Sequence, residues 1–163
     1  MPLYIHLSIH FILAVITGYT VGRYFKKPWL GLLSGIVGGF LIDLDHLLEY
    51  FLVFGWHFNI YNFFDGHQFL TSGLIRLFFH AWEYVPILIL IAWFFRKNLY
   101  AKTIVLVLAS SGLVHLVSDV FINNYPWRNY SLIYRYHQHF QAENILSEAQ
   151  YQEYLESRLI KGL

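Results

Sequence analysis

Apolar residues fall in four long runs, and each run is interrupted by polar groups in a similar way. The first, from about Leu3 to Gly22, carries no formal charge. The second begins at Trp29, is uninterrupted to Ile42, meets Asp43, Asp45, His46 and Glu49, and continues to Phe54. The third runs from about Leu77 to Phe95 with His80 and Glu83 in its first half, and the fourth from Thr103 to about Ile122 with His115 and Asp119 in its second half. About 20 mostly apolar residues cross a bilayer, so the pattern predicts four spans. Met1 to Leu7 has no Lys or Arg to make a basic leader, so the N-terminus reads as a first span and not a cleavable signal. Beyond Asn123 the chain turns polar. Ser147 and Gln150 have capping-box spacing for a helix to about Ile160, with Tyr151, Tyr154, Leu155 and Leu159 as its apolar stripe. The expected fold is all-α: an integral membrane four-helix bundle over 1–122 and an amphipathic helical tail over 123–163, in one domain.

Composition agrees with this. The 163 residues are 57% hydrophobic and only 13% charged, whereas soluble domains run at roughly 25% charged. A net charge of +1 gives no case for nucleic-acid binding. Without cysteine there are no thiolate ligands and no Cys nucleophile. The basic residues cluster in two loops, Arg23/Lys26/Lys27 and Arg96/Lys97/Lys102. The positive-inside rule assigns both loops to the cytoplasm and both termini to the opposite side. Arg128 and Arg135 in the tail read as headgroup contacts or as binders of a substrate phosphate.

Nine histidines stand against ten carboxylates, an unusual ratio for a membrane chain. Counted from the basic end of each span, His10, Asp43, His46, His80, Glu83, His115 and Asp119 lie 13 to 19 residues in. At 1.5 Å per residue that is one layer, roughly 20–28 Å from the cytoplasmic ends. The spacings put His80/Glu83 and Asp43/His46 at i, i+3, and His6/His10, His115/Asp119 and Asp45/Glu49 at i, i+4, so each pair shares a helix face. Ionisable groups in a span are costly and mark function. His and carboxylate on facing helices hold metals in bundles, and without thiolate they suit Zn²⁺ first, with Mn²⁺ or Fe²⁺ as alternatives. The expected ligands are His10, Asp43, Asp45, His46, His80, His115 and Asp119, around one or two divalent ions. Glu83 or Glu49 is a further ligand or the general base. Such a site, opening to the non-cytoplasmic side, suits a lipid-phase substrate. Three other readings use the same residues: a metal-ion or proton pathway, bis-His haem ligation, and a polar layer or structural metal site that only holds helices together.

An early His in the first span, the run Leu41-Ile42-Asp43-Leu44-Asp45-His46, and His115-x-x-x-Asp119 resemble the bacterial inner-membrane metal-dependent hydrolases, a group similar to zinc-dependent phospholipase C and P1-type nucleases. The resemblance covers about the first 120 residues. It implies a helical fold, a zinc-type site and phosphoester hydrolysis at the inner membrane. Two positions depart from the pattern. Ile42 stands where the family carries Pro, and Gly66-His67-Gln68-Phe69-Leu70-Thr71-Ser72 lacks a second His, whose place His80 takes with Glu83 as an added carboxylate.

Overall fold

The computed structural model describes residues 3–163. Among these, regular structure is helical throughout: α1 (Leu3–Tyr24), α2 (Pro28–Gly39), α3 (Leu44–Phe54), α4 (Ile60–Phe64), α5 (His67–Ser72), α6 (Tyr84–Phe94), α7 (Leu99–Asn123), α8 (Leu132–His137), α9 (Ala142–Ile145) and α10 (Glu148–Ile160). Short 3-10 turns lie at Leu41–Asp43 and Trp127–Tyr130. Three helical runs are long and apolar enough to cross a membrane: Ile5–Tyr24, Pro28–Phe54 and Leu99–Asn123. The expected third span is different. Helix α6 has only 11 residues, and Leu77–Glu83 is a non-helical connection entered through a left-handed Leu77 (φ 27°). His80 and Glu83 therefore do not share a helix face. The chain divides into two units, one joining the residues up to Ile42 with Ala81–Tyr125, the other joining Asp43–His80 with Pro126–Leu163.

In the first unit α1 and α2 pack backbone to backbone. A Cβ on Gly18 would stand 2.5 Å from the Gly31 carbonyl, and one on Gly35 would stand 2.6 Å from Gly18 Cα. Small residues at four-residue spacing on both helices permit this approach, as in membrane helix pairs. The sharp turn between them uses Lys26 in the left-handed region (φ 58°) and Pro28 at the first helical position, where its missing N–H leaves no bond unmade. α7 packs against α1, α2 and α6, and Asn98 caps its start by accepting from Ala101 N–H at 3.1 Å. Lys27 donates to the Tyr100 hydroxyl at 2.8 Å, so the two basic turns lie at the same end of this unit.

The distribution of side chains is inverted relative to a soluble protein. Ile12, Ile16, Leu33, Ile89, Leu90 and Phe94 are exposed, while His10, Ser34, Thr103, Ser111, His115 and Asp119 are buried among Ala14, Ala92, Ala109 and Val107. Exposed aliphatic faces around a polar interior are what lipid solvation selects.

In the second unit the expected C-terminal helix is present as α10. Ser147 accepts from Gln150 N–H and the Gln150 side chain returns to Ser147 N–H, which makes the predicted capping box. The Tyr154 hydroxyl reaches the Phe69 and Leu70 carbonyls at 3.2 and 3.3 Å, and Lys161 donates to the Asp65 carbonyl at 2.7 Å. Asn59 caps α4 by accepting from Tyr61 and Asn62 N–H. Leu159, expected in the apolar stripe, is exposed.

Candidate metal centres

Each unit gathers one group of histidine and aspartate. In the first unit the i, i+4 spacing of His115 and Asp119 turns both toward α1, where His10 meets them. Asp119 bridges the imidazoles: Oδ2 lies 3.3 Å from His115 Nε2 and Oδ1 lies 3.2 Å from His10 Nε2. All three side chains are buried, at 1–2% exposure, and their ligand atoms lie within 4.8 Å of one another. Ligands held at about 2.0–2.1 Å around a tetrahedral zinc stand roughly 3.3 Å apart, and each imidazole stands at about that distance from one of the two Asp119 oxygens. His6, one turn before His10, brings a third imidazole to 3.6 Å from Asp119 Oδ1, and Asn123 donates to the same oxygen at 3.3 Å.

The His115 ring has partners at both nitrogens. Its Nδ1 lies 2.7 Å from the Gly39 carbonyl. With its proton on Nδ1 the ring would donate to that carbonyl and turn the Nε2 lone pair toward Asp119, the usual outer support of a metal-binding imidazole. The same Nδ1 is 2.6 Å from His10 Nδ1, with the two rings edge to face. Gly39 supplies its carbonyl because the helices close tightly there: a Cβ on it would meet Ala14 Cβ and Ser111 Cβ at 3.0 Å.

In the second unit Asp43, at the end of the 3-10 turn, meets His46 on α3 and His80 from the connection after α5. Asp43 Oδ1 is 3.8 Å from His46 Nε2 and 3.4 Å from His80 Nε2. This group is more open, with the His46 side chain 33% exposed. Asp45, expected as a ligand, faces the other side of His80. Its Oδ2 accepts from Phe79 N–H at 2.7 Å and lies 3.2 Å from His80 Nδ1. It orients the ring whose Nε2 faces Asp43, as a support does, and is not one of the residues whose ligand atoms cluster there.

Glu49 and Glu83, expected as a further ligand or the general base, fall outside both groups. Glu49 is sequestered in a forked pair with Arg76: Arg76 Nε and Nη2 donate to Oε1 at 2.9 and 2.8 Å, and Nε also reaches Oε2 at 3.1 Å. Glu83 sits at the N-terminal boundary of α6 and belongs to neither group among the described residues. Arg135 also departs from its reading as a headgroup contact. It is 1% exposed and donates from Nη2 to the His80 carbonyl at 2.7 Å. Sequence reasoning noted His6 only as a partner of His10; the signal was its i, i+4 spacing. Nothing in the sequence pattern links Arg76 to Glu49 or Arg135 to His80.

No protein-family model, curated protein or solved structure matches the chain.

Proposed function

We propose that the chain is an integral membrane metal-dependent hydrolase that cleaves phosphoester bonds in a lipid or lipid-linked substrate. The observation that carries this reading is the buried His10–His115–Asp119 group, with its ligand atoms within 4.8 Å of one another and the Gly39 carbonyl beside His115 Nδ1, inside helices whose outer faces are aliphatic. The set of imidazoles and carboxylate suits zinc, with manganese or iron as alternatives. The Asp43–His46–His80 group offers donors for a second ion. Divalent metal bound there would make hydroxide available as a nucleophile at neutral pH. Buried walls keep bulk water away, His6 and Asn123 steady Asp119, and Asp45 steadies His80.

The remaining parts of the reading are a four-helix bundle in which α6 is the short fourth member, a bacterial inner membrane, and a site on the non-cytoplasmic side. The resemblance to the membrane metal-dependent hydrolases, the two basic turns at one end and the aliphatic exterior support them. The test is hydrolysis of a phospholipid or lipid diphosphate in mixed micelles by the purified chain. The expected result is phosphate release that is abolished by chelator, restored by Zn²⁺ or Mn²⁺, and absent in Asp119→Asn. Turnover that survives both chelator and Asp119→Asn overturns the proposal.

A further inference from the structure

His80 reaches Asp43 from a connection that has little structure of its own. Between Gly73 and Ala81 the backbone makes no helix, passes through a left-handed Leu77, and closes few local bonds, Leu74 N–H to Ser72 Oγ at 3.1 Å and His80 N–H to the Leu77 carbonyl at 3.3 Å among them. Such a segment does not fix a ligand by itself. It is held instead by the C-terminal part of the same unit. Ile75 N–H donates to the Phe140 carbonyl at 2.8 Å and Ala142 N–H to the Gly73 carbonyl at 2.9 Å, with Leu74 and Gln141 paired antiparallel between them. Helix α8 stands behind this pairing. Ser131 caps it by accepting from Tyr134 N–H at 3.1 Å, and Phe140 N–H returns to the Arg135 carbonyl at 2.8 Å.

From α8 the Arg135 side chain runs inward, fully buried, to the His80 carbonyl at 2.7 Å. Asp45 holds His80 from the other side through Nδ1 and the preceding amide. The ring is thus anchored on a carboxylate and the backbone on a guanidinium, and Nε2 is left facing Asp43. A permanently charged side chain is expensive to bury, and an aliphatic residue would fill the same volume. We infer that Arg135 is a positioning residue for the Asp43–His46–His80 group, and that Ser131–Ala142 is a brace that decides where His80 stands. This rests on reading that group as a metal site. It assigns a role to a part of the chain that the family resemblance does not cover.

The test uses the full chain in detergent with Co²⁺ as the probe, read by its visible absorption, and amide hydrogen exchange over Gly73–His80 in the metal-free protein. Arg135→Lys keeps the charge and loses the planar fork. Losses of about tenfold in metal affinity are typical when such supports are removed, so Arg135→Lys should weaken the Co²⁺ step that His80→Ala abolishes by about that factor. It should do nothing further in the His80→Ala background, and it should speed exchange in Gly73–His80. Arg135→Gln should be weaker again; if it does not fold, Ser131→Ala, which uncaps α8, should loosen the same segment to a smaller extent. Co²⁺ affinity within twofold of wild type in Arg135→Lys, or unchanged exchange, overturns the inference while leaving the metal reading intact. A wild-type chain that takes up no Co²⁺ overturns both.

Discussion

Asp119 illustrates how a single residue organises the first centre. Its two oxygens face two imidazoles on different helices, and each of those imidazoles is buried. A carboxylate enclosed in this way in an apolar bundle is stable only with partners, and the partners here are metal-ligating types. Gly39 is as specific in its own way, since its carbonyl holds His115 and no side chain fits beside it. Gly39→Ala would push against Ala14 and Ser111 at 3.0 Å, so we expect a loss of about 1–3 kcal/mol of stability, measured by thermal unfolding in detergent, with weaker metal binding. Glu49 makes the opposite case. It is 1% exposed, and Arg76, with 22% side-chain exposure, neutralises it. Removing one partner of a buried pair costs about 3–5 kcal/mol, whereas removing both is far milder. Arg76→Met should therefore destabilise strongly, less than that full range because Arg76 is partly exposed, and Glu49→Met in the same chain should restore most of the loss. Metal content of the double variant should match wild type; a loss of metal would return Glu49 to the site.

At the scale of elements, the sequence and the structure agree where periodicity and caps are strong. α1 and α7 are uninterrupted apolar helices, and α10 begins at its capping box. They disagree at Leu77–Trp82. That run buries only His80 and Ala81 and leaves Phe79 exposed, and an apolar run by itself does not specify conformation. The bonds that hold it come from Asp45 and Arg135, 34 and 55 residues away in sequence, beyond the reach of any local pattern. The break between α2 and α3 at Phe40–Asp43 is hidden for the same reason. The helical spacing pointed to the His and Asp residues that gather in the two groups. Which of them face the clustered nitrogens and which stand behind was not legible, because Asp43 and Asp45, two residues apart, lie at Nε2 and Nδ1 of the same His80 ring. Tyr154 joins α10 to α5, and burial pushes its phenol above the usual value of 10.0. A raised phenol stabilises the fold fully below the unfolded value, and that contribution is lost as pH rises through the folded value. Tyr154→Phe should lower stability by about 1 kcal/mol at neutral pH and flatten the decline seen above pH ~10, both read from unfolding midpoints across pH.

For the whole molecule, the charge pattern makes a claim about orientation. Lys27 and Tyr100 tie the two basic turns to one end of the first unit, and the chain has no cysteine. Single cysteines at Lys97 and Asn124 therefore report sidedness cleanly. A membrane-impermeant maleimide should label Asn124→Cys in intact cells and Lys97→Cys only after permeabilisation. The reverse pattern would move the site to the cytoplasmic side and contradict the positive-inside reading.

The central claim is that these buried histidines and aspartates are metal ligands and not interhelical glue. Elemental analysis of the chain purified without chelator addresses it most directly, alongside Asp119→Asn and His115→Ala as folded variants. The account predicts one to two equivalents of a divalent transition metal in wild type and the loss of an equivalent in each variant. A metal-free wild type, or variants that keep the full complement, would contradict it.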